Sequence, residues 1–167
     1  MKIAIYPGSF DPVTLGHLNI IKRAANCFDK VIVCVMVNSK KHGMFTPEER
    51  VELLRRATSR FSNVEVDFSC ELLAAYAKRR GAKVVVKGLR AVSDYEQEVQ
   101  MAIINRKLNP NLETLFLASS EKYTYLSSTV VKEMARYGAN LAEFIPREIV
   151  RDVEQRMKEL QEQERKG

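Results

Sequence analysis

The chain has 167 residues, enough for one domain with a substantial core and too few for two. Hydrophobic residues make up 46% of it, yet no apolar run approaches the roughly 18 residues that a membrane helix requires. Basic residues outnumber acidic ones by 27 to 21, a net charge of +6 that suits either a polyanion or small anionic substrates.

The distribution of charge favours the second. Residues Pro146 to Gly167 hold six basic and six acidic side chains, a neutral solvated helix face. Elsewhere the cations are scattered as "KR", "RR" and "KRR", with no arginine-rich block and no interleaved aromatics. No nucleic-acid partner is expected; a basic nucleic-acid-binding module is a remote alternative that rests on net charge alone. Cys27, Cys34 and Cys70 are odd in number and lack a C-x-x-C pair, so neither a disulfide framework nor a metal-ligand set is expected. The opening "MKIAIYPG" enters a strand pattern without a signal-like apolar region, which leads to the expectation of a cytoplasmic protein with no membrane partner.

The first strand, "KIAIY", runs into "YPGSFDPVTLGH". Gly8 permits a positive φ and close backbone approach. Ser9 offers a hydroxyl and an N–H, and Phe10 a second N–H. A helix beginning near Leu15 points its free N–H groups and positive dipole end at the same space. Gly16 keeps that helix start uncrowded, and His17 stands in its first turn, able to donate to a phosphate oxygen. This is a phosphate site without a P-loop, since neither G-x-x-x-x-G-K-[ST] nor G-x-G-x-x-G occurs. Taken alone, His17 reads better as a locally packed side chain; the coincidence of special positions after one strand carries the functional reading.

The helix continues with Leu18, Ile21, Ala25 and Phe28 at helical spacing. The run "KVIVCVMV" is a buried strand in which Cys34 acts as a small hydrophobe. "NSKKHGMFTPEER" follows, a loop carrying Lys40 and Lys41 and then a helix start with Thr46 as N-cap, Pro47 first and Glu49 closing a capping box. Val51, Leu54 and Thr58 mark that helix. "NVEVDF" and "AKVVVK" are the next strands. After the latter, "KGLRAVSDYEQE" places Lys87 at the strand end, Gly88 in a turn and Arg90 in the loop, where a guanidinium could clamp phosphate bidentately. Ser93 and Glu96 form a second expected capping box, and Glu98 shares a helix face with Asp94. Exposed solvation is the plain alternative for Glu98.

"ETLFLA" is the fifth strand. In "EKYTYLSSTVVKEM" the hydroxyls of Ser127, Ser128 and Thr129 precede a helix, capping it and offering a second anion site. Tyr123 and Tyr125 have an alternative in core packing. Val150, Val153, Met157 and Leu160 mark a C-terminal helix. The sum is a single Rossmann-like, doubly wound α/β domain over residues 1–160, with a five-stranded parallel sheet, a C-terminal helix and a frayed charged tail at 161–167. Its ligands belong outside the carboxyl ends of the strands.

The segments "YPGSFDPVTLGH", "MFTPEER", "KGLRAVSDYEQEVQMAIINRKL" and "YLSSTVVKEMARYG" together resemble bacterial phosphopantetheine adenylyltransferases, of the nucleotidylyltransferase superfamily with the T/H-x-G-H signature, from about Lys2 to about Met157. The resemblance implies transfer of the adenylyl group of ATP to 4'-phosphopantetheine, giving dephospho-coenzyme A and pyrophosphate. A nucleotidylyltransferase with a different phosphorylated acceptor is the alternative. The resemblance also implies Mg²⁺ as cofactor, coenzyme A as feedback inhibitor and a homohexamer. It assigns catalysis to His17, Lys41 and Arg90. It assigns ATP binding to Ser9, Phe10, His17, Gly88, Leu89, Arg90, Glu98 and the run Tyr123, Thr124, Tyr125, Leu126, Ser127, Ser128, Thr129. Ser9, Lys41, Leu73 and Lys87 fall on the pantetheine side. The chain departs from the family pattern with Ser9 for a common threonine, Lys87 for a common arginine, and "KKHG" for "KKP".

Overall fold

A computed structural model describes residues 1–37 and 43–166. Five strands form one parallel sheet in the order β3-β2-β1-β4-β5. They are β1 (Ile3–Gly8), β2 (Lys30–Met36), β3 (Val64–Ser69), β4 (Val84–Leu89) and β5 (Glu113–Ala118). The helices are α1 (Leu15–Cys27), α2 (Pro47–Thr58), α3 (Leu73–Arg79), α4 (Val92–Leu108), α5 (Ser128–Arg136) and α6 (Val150–Lys166). Each strand expected from the sequence is present within a residue or two. Strands of Val and Ile buried on both faces need helices on both sides, and that is what the parallel crossovers supply.

The two faces are unequal. On one, Ile20, Ile21, Val51, Leu54, Val131, Val153 and Met157 join Ala4, Val31 and Val33 in the main core. The other face holds a smaller cluster around Ile5, Ile32, Cys34, Tyr76 and Leu112. Burial pushes the Cys34 thiol up to about 11, so it packs as an inert hydrophobe. Cys27 and Cys70 are free and exposed. Among the described residues no helix is long and apolar enough to cross a membrane.

Local signals mostly hold. The Thr46 hydroxyl accepts from Glu49 N at 3.2 Å and the Glu49 carboxylate accepts from Thr46 N at 2.8 Å, the reciprocal cap that the sequence announces. The expected cap at Ser93 is different: α4 starts earlier, with Ala91 at its N-cap and no side-chain cap bond there. The physical reason is Asp94, whose carboxylate reaches back to accept from Arg90 N at 3.3 Å and the Arg90 guanidinium at 3.2 Å. Residues 161–166, expected to fray, continue α6; Gln161 donates to the Arg136 carbonyl at 3.0 Å and Glu164 pairs with Arg136 at 2.9 Å.

The element that positions a site is the seam between β1 and β4. β1 pairs with β2 from Ile3↔Lys30 through Gly8↔Val35, but with β4 only at Ala4↔Val84 and Ile5↔Val85. Beyond Ile5 the two central strands part while β4 stays paired with β5 as far as Leu89↔Ala118. Here the chain switches direction across the sheet, and the gap opens at the carboxyl ends.

Burial ranks the side chains for stability. Leu54→Ala is expected to lower unfolding stability by about 2–5 kcal/mol, and Thr46→Ala, which loses only a cap, by about 1 kcal/mol. Urea unfolding followed by circular dichroism measures both, and an equal cost for the two variants would contradict this ranking.

Candidate active site

The gap between β1 and β4 continues into a cleft of about 340 Å³, a size within the range of small-molecule sites. Its floor is Tyr6, Pro7 and Gly8 from β1 with Lys87 and Gly88 from β4. Burial raises the Tyr6 phenol far above its ordinary range, so it stays neutral. The turn after β1 forms one wall. Gly8 suits this turn, but not for the reason the sequence suggests: a Cβ on it would lie 3.0 Å from the buried Phe10 ring, which would have to shift. The positive φ falls instead on Phe10, at 46°. That conformation drives the Phe10 ring into the core, edge-on to Tyr6 at 5.4 Å and to His17 at 5.0 Å, while Ser9 and Phe10 still line the cleft.

His17 is the third residue of α1, and its ring completes the capping box. The Thr14 hydroxyl accepts from His17 N at 3.2 Å, and His17 Nδ1 accepts from Thr14 N at 3.0 Å. A ring nitrogen that accepts a backbone N–H carries no proton, so the proton of the neutral imidazole sits on Nε2. Burial, with the nearby positive charges of Arg90 and Lys87, pulls the His17 pKa down to about 4. The local packing is therefore real and leaves the ring a free donor: one nitrogen is engaged in the cap, and the other carries the proton on a residue that lines the cleft.

The opposite wall brings cations and carboxylates together. Lys87 pairs with Glu98 at 3.2 Å, and Arg90 with Asp94 at 3.2 Å. The Arg90 guanidinium also donates to the Leu126 carbonyl at 3.0 Å, tying α4 to the residue just before α5. Ser127 caps α5, accepting from Val130 N at 3.2 Å, and Ser128 donates to the Pro12 carbonyl at 2.8 Å. The start of α5 thus faces the start of α1 across the cleft, with Tyr123, Leu126 and Thr129 beside it. Two helix N-termini and two cations converge where an anion would sit.

Several expected residues are not part of this lining. Leu89 ends β4, its carbonyl accepting from Ser119 N at 2.8 Å. The Thr124 hydroxyl donates to the Glu121 carbonyl at 3.0 Å, and the Tyr125 ring packs edge-on to Phe144 and is largely exposed. Leu73 begins α3 and packs against the smaller core cluster. Lys41, with Lys40 and His42, lies outside the described residues. Conversely, Tyr6, Thr14, Ile20, Asp94 and Ser119 line the cleft without having been singled out as site residues. Thr14 had a readable signal, since a threonine three residues before His17 fits an N-cap; Ser119 had none, being placed by strand pairing alone.

Comparison with known proteins agrees with this geometry. Residues 5–134 match the cytidylyltransferase-like family model. A phosphopantetheine adenylyltransferase of Caldanaerobacter subterraneus is 57% identical over 87% of this chain and 91% of its own length. One from Clostridium botulinum is 50% identical over 94% of this chain and 96% of its own. Among solved structures, a putative nicotinate-nucleotide adenylyltransferase from Vibrio parahaemolyticus superposes with a TM-score of 0.69 at 17% identity, covering 93% of this chain and 96% of that one, a likeness of fold. With matches over nearly its whole length, the chain belongs to the cytidylyltransferase-like family, on its phosphopantetheine adenylyltransferase branch.

Proposed function

We propose that the protein transfers the adenylyl group of ATP to 4'-phosphopantetheine, releasing pyrophosphate and forming dephospho-coenzyme A, in the cytoplasm. The relatives' names supply the substrates. The observation that carries the chemistry is the cleft where the starts of α1 and α5 oppose each other, with Lys87 and Arg90 between them.

The reaction is an in-line displacement. An oxygen of the pantetheine phosphate forms a bond to the α-phosphorus of ATP. The bond from that phosphorus to the α,β-bridging oxygen breaks, and pyrophosphate leaves with the electron pair. The acceptor is already a dianionic nucleophile, so no enzyme nucleophile is needed. Ser127 and Ser128 support this, since both hydroxyls are engaged in holding the α5 start. Catalysis is then positioning plus charge stabilisation. His17 Nε2–H and the N-terminus of α1 hold the α-phosphate as charge develops. Arg90 and the start of α5 hold the departing pyrophosphate. Ser9 stands between the two substrates, and Lys87, tethered by Glu98, takes the acceptor phosphate. Phe10, Gly88 and Tyr123 form the ATP-side surface. The roles of Lys41 and Leu73 rest on the family resemblance.

Mg²⁺ fits this site as an ion that arrives on the triphosphate. Asp94 and Glu98 are the carboxylates lining the cleft, and each already balances a cation. No cluster of three metal-ligating side chains occurs among the described residues. When bound, the ion neutralises phosphate charge. Coenzyme A carries the same pantetheine arm as the product and is expected to inhibit by competing for the cleft.

A homo-oligomer, a hexamer by the family resemblance, is supported by α4. Met101, Ile104 and Leu108 form an exposed apolar stripe on it, beside exposed Ile103 and Leu115. A second copy is the proposed cover. Size-exclusion chromatography with light scattering is expected to give a multimer, and Ile104→Glu with Leu108→Glu a smaller species; a native monomer would reject this part of the reading.

The activity is tested by supplying ATP and Mg²⁺ with 4'-phosphopantetheine or with nicotinamide mononucleotide and measuring pyrophosphate. Release with the first alone is expected; release only with the second would replace the proposed acceptor. His17→Ala is expected to lower kcat by about 100-fold or more in a folded protein, and an unchanged kcat would remove His17 from the step.

The low pKa of His17 has two consequences with pH. Its charge does not change between pH 5.5 and 9, so no ionisation of His17 should shape the rate there; a limb near 6.5 that disappears in His17→Gln would contradict this. Stability moves in a defined direction. Unfolded His17 takes up a proton near pH 6.5 and the folded form only near 4, so its neutral form contributes fully above 6.5 and the contribution is lost as pH falls toward 4.

A further inference from the structure

Asp11 does not line the cleft, yet among the described residues it is a carboxylate with four separate partners. It is 5% exposed and lies in the turn between Ser9 and Pro12. One oxygen accepts from Met44 N at 2.8 Å and the other from Phe45 N at 2.9 Å. Two cations from different helices approach the same carboxylate: Arg50 of α2 at 3.4 Å and Lys132 of α5 at 3.5 Å. Arg50 also donates to the Phe45 carbonyl at 2.8 Å and to the Ser9 carbonyl at 3.4 Å. The space is tight, since a Cβ on Gly43 would fall 1.8 Å from the Arg50 guanidinium and 2.8 Å from the Asp11 carboxylate.

We infer that Asp11 is a positioning residue for the transfer step: through Lys132 and Arg50 it fixes the Ser9–Phe10 turn relative to the start of α5, and so sets the separation of the two anion-binding walls. This rests on the adenylyl-transfer reading above. The two walls come from distant parts of the chain, and the links between them on this side are few. The Ser128 hydroxyl reaches the Pro12 carbonyl at 2.8 Å, and Lys132, one turn further along α5, reaches Asp11. The first is a single neutral hydrogen bond. The second places a charge on a carboxylate that two backbone N–H groups and Arg50 already immobilise, so it transmits position rather than merely contact. Arg50 holds the turn from the other side through the Ser9 carbonyl, and Ser9 itself faces the substrates. A shift of this turn by an ångström would leave both phosphate sites intact and misalign them. That geometry raises the barrier without greatly weakening either ligand.

The test uses the full-length protein and the pyrophosphate assay. Asp11→Asn keeps the shape and removes the charge. It is expected to lower kcat by about 10-fold or more while the KM values for ATP and 4'-phosphopantetheine move less than about 3-fold. Lys132→Gln, a change at a partly exposed side chain, is expected to lower kcat about 3- to 10-fold with little change in melting temperature. In the Asp11→Asn background the same change should add less than about 2-fold, because the link is already broken. A purely structural role predicts instead a lower melting temperature with native kcat in the folded enzyme. Native kcat in folded Asp11→Asn would overturn the inference; if Asp11→Asn fails to fold, native kcat in Lys132→Gln would do so. Absence of pyrophosphate from the native protein would reject the reaction itself, which separates the two failures.

Discussion

Two neighbouring strands that pair for two residues and then diverge determine where chemistry is possible in this molecule. β1 and β4 share hydrogen bonds only at Ala4↔Val84 and Ile5↔Val85, whereas their outer partners stay in register to the strand ends. The unpaired backbone beyond that point must face something other than a strand. It faces the cleft, and two sides of the site hang from these strand ends: the Ser9–Phe10 turn and α1 from β1, and the Arg90 loop and α4 from β4. The start of α5 is brought in across the gap and held by Arg90 on one side and by Ser128 on the other.

The electrostatics of the cleft follow from setting a neutral imidazole beside two basic groups that are each paired with a carboxylate. His17 is half-buried and stays neutral because a protonated ring there would lose solvation and would face Arg90 and Lys87. Lys87 pairs with Glu98 and Arg90 with Asp94, both carboxylates on α4. These pairs hold the cations in place before a ligand arrives, and a phosphate can compete for them because the pairs are solvated. Neutral donors and fixed cations in one site are an arrangement for stabilising charge on a phosphate, without a base that must change protonation state.

The asymmetry of the sheet has its own logic. The face covered by α1, α2, α5 and α6 carries most of the core, and the site-bearing turns are anchored in it through Phe10, Val13 and Leu126. The face under α3 and α4 is thinner, and α4 has apolar side chains left in the open. A helix with apolar residues on all sides has no preferred single face, and its remaining surface stays available to a further layer.

Much of this was legible along the chain. Five β-branched runs between helical periodicities determine a parallel α/β sheet, because strands buried on both sides admit no alternating pattern. Thr46-Pro47-Glu49 determines a helix start, because a cap is built from residues three apart. The segment from Gly8 to His17 determines a strand, a tight turn and a helix N-terminus in direct succession, because the three are contiguous in the chain. Tertiary structure alone decided the rest. It moved the positive φ from Gly8 to Phe10, since that strain depends on where the ring packs. It started α4 at Val92 with Ala91 as N-cap, too early for a cap at Ser93, and set the Asp94 carboxylate on Arg90. It brought Lys132 to Asp11 across more than a hundred residues, and set Ser119 in the cleft by strand register. Local hydrogen-bond geometry is written in residues three or four apart; which distant charges meet is settled only when the sheet order is, and sheet order is a property of the folded chain.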